Sequence, residues 1–585
     1  MDTQALNNTF ILLKRFSFPT GNTTKDAIAI TRQSSLILVS LYTLMIGVII
    51  SQLWAFVVLL GVSFFMRKTH SHNCAAATAG IFNTQASPIS VVMLVLSYVK
   101  PMKREIWYPL LWAGLAVLTV AASSSASILL PRLLQIGSAA PVNPSAVYVP
   151  TAVFRNNTEV DETTKGKVFA LEVPGALRAA AQVGATPRNS VVVEQETSTS
   201  PGFVRVNYHY NLTAAEFGLQ NIPGLAFYVN GSCYTEYGWL DSQDTFTDTY
   251  RLWNNSILMN VSTYDGGPPF AFFKPGPTPE QGLGNSSYAI AISSLHRFSY
   301  TPGTDPWYLT IRNNDPDRFD FVVDTGRPVL SCWETNVFHR QNKTSDVWDL
   351  TKLGPAFGSP QGNTSFLTDV LQLYLTQPMI VCLGVHLGRS ALISSFSSAL
   401  GVAFDANSSS IHRDLEYLVT ASYVATRDIF AETTRFSQQG REGIPSLPYD
   451  SSISRAGTGD FIIVSPDIAT LSVRTLIVVP AVTGGMVLVL FLVKRMTSPW
   501  RVAQALNATI LYSHLQELAR QEGDKVQKWD REGDVAFSTQ ETEAILVPEW
   551  KPKKGGFLWH RREETGASEA DSLLSKQSNP ESFSS

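Results

Sequence analysis

The chain has 585 residues, of which 44% are apolar and 16% charged, with a formal net charge of -3. An average soluble protein is about 25% charged, so the deficit excludes an ordinary soluble chain from end to end, and the missing basic excess excludes a general nucleic-acid binder. Four cysteines are too few for a disulfide-built scaffold, so any large domain must be held by an apolar core.

Residues 1–34 form an N-terminal segment without a cleavable signal pattern, because the first apolar run begins too late. That run, 35–66, is about 48 Å long as a helix, long for one membrane crossing and short for two. Ser51 and Gln52 could mark a tight hairpin within it. Lys14, Arg15, Lys25 and Arg32 favour a cytosolic N-terminus, which needs an even number of crossings before Lys100. A single long, tilted helix would instead export that basic segment. Residues 67–106 read as a cytosolic juxtamembrane segment. A returning crossing over 77–99 is the alternative, but its best apolar part, near 90–99, is only about ten residues long and reads as interfacial or buried. His70, His72 and Cys74 fall short of a closed zinc site and read as a solvated loop.

Residues 107–130 read as a transmembrane helix, opened by Trp107, Tyr108 and Trp112 as an interfacial aromatic belt and preceded by Lys100, Lys103 and Arg104. Residues 475–493, uncharged and followed by Lys494 and Arg495, read as another. Basic flanks mark the cytosolic side. Residues 136–473 are therefore expected outside the cytosol or in a lumen, and the tail 494–585 inside. The sure spans lack the intramembrane charges typical of a transport path.

Between the two helices lie nine N-x-S/T acceptor sites, at Asn156, Asn211, Asn230, Asn254, Asn260, Asn285, Asn342, Asn363 and Asn407, where average composition gives roughly two. This density in the one segment that charge places outside predicts a glycosylated ectodomain. Asn7, Asn22 and Asn507 also fit the pattern, and Asn507 should be unused in the cytosol. β-Branched or alternating runs at 203–209, 307–312 and 319–324 predict strands. In 411–433, Ile411, Leu415, Leu418, Val419, Ala421, Tyr423, Val424, Ile429 and Phe430 recur at helical spacing. The expected fold is a membrane protein with α-helical transmembrane segments and a mixed α+β, β-rich extracellular or lumenal domain.

Residues 379–403 are apolar as well. They contain His386 and Arg389, which are costly at mid-membrane, so a buried core helix is the preferred reading and a further crossing the alternative. Of the ectodomain cysteines, Cys233 and Cys332 sit in polar, aromatic contexts and Cys382 in the apolar run. A Cys233–Cys332 disulfide is expected, the alternative being three unpaired thiols.

The stretches APVNPSAVYVP (140–150), GSCYTEYGW (231–239) and SCWETNVF (331–338), with SPISVVMLVLSY (88–99), resemble segments of fungal multi-pass membrane proteins of unknown function. The resemblance spans most of 35–495. It implies membrane helices flanking one glycosylated domain and supplies no catalytic residues.

FDFVVDTGRP (319–328) is similar to the aspartic-protease signature around Asp324, yet that chemistry needs a second carboxylate and no second Asp-Thr/Ser-Gly occurs. No phosphate loop, dinucleotide fingerprint, nucleophile elbow or zinc-protease helix is present. No catalytic, cofactor or metal residue is assigned. Residues 501–521 read as an amphipathic helix before a disordered tail. There Glu569, Leu573 and Leu574 fit an acidic dileucine pattern read by cytosolic sorting adaptors, and Tyr512-to-Leu515 fits a tyrosine-based one. The expected function is surface or endomembrane binding or sensing of an external or lumenal ligand, in contact with the bilayer and with no nucleic-acid partner. An ectodomain hydrolase using dispersed residues and a membrane scaffold are the alternatives.

Overall fold

A computed structural model describes residues 9–21, 23–65, 72–83, 88–98, 106–150, 161–196, 202–253, 257–262, 267–277, 285–314, 319–359, 364–398, 401–436, 441–447, 456–496, 508–510, 513, 529–532 and 535–538. The chain divides into two units, residues 1–43 with 128–480, and residues 44–127 with 481–585.

In chain order the main elements begin with β1 (Arg15–Thr20), β2 (Thr23–Thr31), α1 (Arg32–Phe65), α2 (His72–Asn83), α3 (Pro88–Tyr98), α4 (Trp107–Leu134) and β3 (Gln135–Gly137). There follow α5 (Glu162–Gln182), β4 (Val191–Glu196), β5 (Arg205–Thr213), β6 (Leu225–Glu236), β7 (Leu240–Gln243), β8 (Thr247–Leu252) and β9 (Ile257–Ser262). The rest are β10 (Ala271–Pro275), β11 (Asn285–Ile292), β12 (Val329–Arg340), α6 (Phe366–Leu375), α7 (Met379–Leu387), α8 (Ile411–Arg427), α9 (Ile429–Glu432), β13 (Ile468–Ser472) and α10 (Val473–Met496).

Among the described residues, four helical stretches are long and apolar enough to cross a membrane, Arg32–Gly61, Trp107–Leu129, Met379–Ser397 and Val473–Val493. Their most apolar windows are 11%, 11%, 56% and 6% buried. The third is therefore set apart, and its residues Met379, Ile380, Val381, Leu383 and Leu387 belong to the main core.

Residues 15–31, read from the sequence only as part of an N-terminal segment, form strands of the first unit. β1 and β2 form a hairpin with Thr20 opposite Thr23, and Gly21 takes the positive φ of +55° that suits so short a connection. The hairpin joins a four-stranded sheet in the order β1-β2-β13-β3. The reason is the alternation in β2, which buries Ala27 and Ala29 with Phe16, Ala139, Ala140, Ile462 and Ile468. β2 runs directly into α1, α4 directly into β3, and β13 directly into α10. The junctions are tied together: Arg32 N–H donates to Asp467 O at 2.9 Å, the Thr475 hydroxyl to Leu133 O at 3.1 Å, and the Tyr42 hydroxyl to Leu476 O at 2.7 Å. No hairpin forms at Ser51–Gln52, because α1 is one unbroken helix of 34 residues, about 51 Å long.

The main sheet runs β10-β11-β12-β6-β5-β4, with residues 343–345 pairing to β12, and all its pairings are antiparallel. β12 and β6 form its centre, in register from Val329↔Glu236 to Arg340↔Leu225. Cys332 faces Cys233 in that register, and the two form a disulfide. Cys74 and Cys382 lie outside that disulfide.

On one face of the sheet, a layer of α5, α7 and α8 shares the main core with Tyr208, Tyr210 and Phe227. Tyr423 of α8 meets Tyr210 edge-on, with ring centroids 5.7 Å apart. Ser410 caps α8 by accepting from Arg413 N–H. The helix ends at Arg427, short of the expected 433, with a separate turn at Ile429–Glu432. A small sheet, β7-β8-β9, covers one end of the opposite face through Tyr250, Leu252, Met259 and Val261 against Ala289, Ala291 and Val329. Of the other predicted strands, 307–312 shrinks to Thr310–Arg312 and 319–324 to Phe321–Val323.

The second unit has its own small core, in which Trp54, Val58, Ile81, Val91, Val95, Trp112, Ala116 and Ala508 pack together. Gly61 is required there, since a Cβ would lie 2.4 Å from the Trp112 ring, a close approach typical of apolar helix pairs.

Candidate functional site

A cleft of about 650 Å³, its open side included, lies among α5, α6, α7, α8 and α9. Most of its wall is apolar, from Ala176 and Ala179 of α5, Met379 and Leu383 of α7, Ile429 of α9 and Phe436. Pro174 lies inside α5 and cannot donate to the preceding turn. Its neighbour Gly175 lines the cleft where a Cβ would stand 3.2 Å from Glu432 Oε2.

Three carboxylates reach the cleft, and they are held differently. Asp428 accepts from Arg427 Nε at 2.8 Å and Arg427 Nη2 at 3.0 Å. Glu432 accepts from Arg178 Nε at 3.1 Å and Arg435 Nη1 at 2.8 Å. Among the described residues no guanidinium is paired with Glu172. Its Oε2 lies 3.2 Å from His386 Nε2, with 7% and 9% of the two side chains exposed. The distance makes an ion pair, but the geometry is not that of an aligned hydrogen bond, and both atoms keep unused bonding capacity. Glu172 Oε1 accepts from the Tyr374 hydroxyl at 3.4 Å.

His386 is fixed from three sides. Its Nδ1 meets Cys382 O, one turn earlier on α7, at 2.6 Å, which directs Nε2 towards Glu172. Phe169 stacks on its ring, centroids 4.7 Å apart and 15° from parallel. Burial raises the Glu172 pKa, only partly offset by His386. Burial works against the charged His386, but Glu172 outweighs it and the His386 pKa rises. Both shifts favour a proton staying on the pair as pH rises.

Cys382 is the cleft's one thiol, and burial pushes its pKa up to about 12. It stays protonated near neutrality and is a poor nucleophile. Asp324 is held by Arg327 Nη2 at 2.6 Å and sits outside the cleft. Two other buried acids belong to packed networks. Glu334 accepts from Tyr208 at 2.8 Å, and Tyr208 also bonds Tyr288 at 2.8 Å. Asp414 accepts from Ser394 N–H at 2.9 Å and the Ser394 hydroxyl at 2.8 Å, and bonds Tyr308. Desolvation pushes Glu334 up to about 7 and Asp414 up to about 6. No group of three or more potential metal ligands occurs among the described residues.

The acceptor asparagines lie elsewhere. Asn211, Asn230, Asn260, Asn285, Asn342 and Asn407 are exposed, while Asn156, Asn254 and Asn363 lie outside the described residues. Asn230 and Asn285 both face Thr335 across the central strands, and Asn211 stands opposite Tyr228. These three share the sheet face turned away from the helical layer. Glu569, Leu573 and Leu574 also lie outside the described residues.

Sequence reasoning did not reach Glu172, an ordinary acidic residue in an amphipathic helix. His386 and Arg389 did carry a signal, as polar groups in an apolar run that demand partners. Arg389 finds one in the Phe270 ring, 5.5 Å away.

Residues 173–463 match the family described as Domain of unknown function (DUF8406), a stretch that begins one residue past Glu172 and takes in the rest of the cleft. No curated protein and no solved structure matches the chain.

Proposed function

We propose that this chain is a membrane-anchored glycoprotein whose ectodomain binds a small molecule in the helical cleft. The observation that carries the reading is the cleft itself, apolar along most of its wall and bordered by the buried Glu172–His386 pair. The neutral Cys382 thiol and the arginine-bound Asp428 and Glu432 favour binding over hydrolysis.

Three spans anchor the protein, Arg32–Gly61, Trp107–Leu129 and Val473–Val493. Support comes from their exposed apolar surfaces and from the four-stranded sheet that α1 and α10 leave and α4 enters. Helices meeting one sheet in that way run in, out and in again. Residues 1–31 then share the ectodomain's side, and residues 66–106 and the tail lie in the cytosol. Arg67, Lys68, Lys100, Lys103, Arg104, Lys494 and Arg495 all fall on that cytosolic side, as the positive-inside rule asks. The likeness to fungal multi-pass membrane proteins implies the same architecture. Plasma membrane and endomembrane both suit it, and the dileucine pattern would select the latter through sorting adaptors.

Two measurements test the reading. Glycan mapping of the full chain should find Asn230 and Asn407 occupied and Asn507 bare, and occupied Asn507 with bare Asn407 overturns the three-span arrangement. A thermal-shift screen of the full chain in lipid nanodiscs should find small molecules that stabilise the wild type and not the cleft-filling variant Ala179→Trp. A diverse library that shifts neither protein removes the binding function.

A further inference from the structure

Resting on the glycoprotein reading, we infer that the outer face of the main sheet is roofed by the chain's own N-glycans, whose first sugars stack on Trp333 and Tyr228. The two rings are 48% and 41% exposed on the two central strands, and large rings left to water in such a place mark an interaction surface. The small sheet β7-β8-β9 reaches only one end of this face, at Ala289, Ala291 and Val329.

The strand register supplies the occupant. Thr335 of β12 stands opposite Asn230 of β6 on one side and Asn285 of β11 on the other. Further along the same face, Trp333 stands opposite Ser232 and Ser287, the hydroxyl residues of those same two acceptor sites. Trp333 is thus diagonal to both asparagines, a backbone separation of about 7–8 Å that an aromatic side chain spans. Tyr228 is placed in the same way. It lies directly opposite Asn211 of β5, and Asn230 follows on the same face of its own strand. His339 meets the Tyr228 ring edge-on, with centroids 4.9 Å apart, and steadies it. The Thr335 hydroxyl donates to Asn285 Oδ1 at 2.6 Å. That bond fixes the amide and turns Nδ2, the atom that carries a glycan, away from Thr335.

The chemistry of the face suits sugar. On β5, β6, β12 and β11, the cross-strand rows through Tyr228, Thr335 and Trp333 hold no acidic residue, lysine or arginine. A partner drawn by charge finds no complement there. The face of an aromatic ring is electron-rich, and the C–H face of a pyranose is its apolar, weakly positive counterpart, with the hydroxyls left pointing at water. N-linked sugars are bulky and tethered beside the rings, so their effective concentration is high before any outside partner arrives.

The test uses the full chain from a glycosylating eukaryotic host, in nanodiscs. Mass spectrometry reads both the occupancy of each acceptor site and the hydroxyl-radical labelling of each ring. Trp348 is the reference, since it too is 48% exposed. In the wild type Trp333 should label severalfold more slowly than Trp348. In Asn230→Gln/Asn285→Gln it should rise to the Trp348 rate, and Tyr228 should follow once Asn211→Gln is added. If the double variant does not fold, peptide-N-glycosidase treatment of the folded wild type gives the same comparison. Surface contacts of this kind change stability little, so labelling and not melting temperature is the readout. Occupied asparagines with Trp333 already at the Trp348 rate overturn the roof, leave the glycoprotein standing and leave the face open to an outside partner. Trp333 protected equally with and without glycans also overturns it, since a second copy or another protein then covers the rings. If Asn230 and Asn285 are bare, this face carries no sugar and the inference falls, while Asn407 and the other acceptor sites decide the glycoprotein reading separately.

Discussion

Residues 379–397 and 107–129 have nearly the same mean hydropathy, 1.5 and 1.6, yet 56% of one window is buried and 11% of the other. Composition does not separate them; partners do. Along 379–397 each costly group has a matching one. His386 meets Glu172, Arg389 lies over Phe270, and Gly384 leaves room for the Phe273 ring, which a Cβ would approach to 2.3 Å. Along 107–129, Leu111, Val117 and Leu118 are 59%, 54% and 67% exposed and meet no such complement. An apolar run thus reads as core when its few ionisable residues are answered by the fold, and as a span when it has none to answer.

Four experiments press on that contrast. Ile380→Ala should cost about 2–5 kcal/mol of ectodomain stability, as a buried truncation does, while Leu118→Ala stays within about 0.5 kcal/mol. Denaturant midpoints read by tryptophan fluorescence measure both, and equal effects would erase the distinction. Charge gives the mirror image. Val117→Arg should penalise membrane insertion by about 2.5–3.5 kcal/mol, whereas Val385→Arg, 45% exposed on the surface of α7, should leave insertion unchanged. Microsomal insertion assays of the two variants decide.

The third experiment is pH. Glu334 has an ordinary pKa of 4.5 and a folded value near 7. The folded state therefore keeps a proton that the unfolded chain releases, and the stability is present in full below about pH 4.5 and lost as pH rises through 7. The loss is about 3 kcal/mol for Glu334 alone, and Asp305 and Asp414, each pushed by desolvation to about 6, act in the same direction. The ectodomain should melt at a higher temperature at pH 5 than at pH 8, less so in Glu334→Gln. A melting temperature that climbs with pH contradicts the burial of these acids. The smallest effect is expected at the outer sheet face, where Asn230→Gln and Asn285→Gln should each remove one glycan's mass and change stability by less than about 0.5 kcal/mol.

Legibility in the sequence followed the range of the interactions. The apolar stripe from Ile411 to Val424 is local, and all its residues are buried in α8. The segments 231–239 and 331–338 stood out as motifs, and they are the facing halves of the two central strands. The four-stranded sheet left almost no trace. β3 has three residues and β13 five, too short for periodicity, and they exist because distant segments pair with them. The same holds for the cleft. His386 was visible as an anomaly on its own helix, but Glu172 becomes notable only beside it, 214 positions away in sequence.

The sheet that gathers the three helices also sets a timetable. Arg32 and Pro466, bonded across it, are 434 residues apart. A ribosome adding about 5–20 residues per second needs on the order of 20–90 s to make that stretch. During that interval the β1–β2 hairpin has been synthesised and its partner strand has not. Its outer edge stays unpaired until β13 emerges and closes it. The last strand of the ectodomain is thus also the fastening of its first, and a chain truncated before Ile468 would leave the N-terminal hairpin exposed to aggregation and quality control.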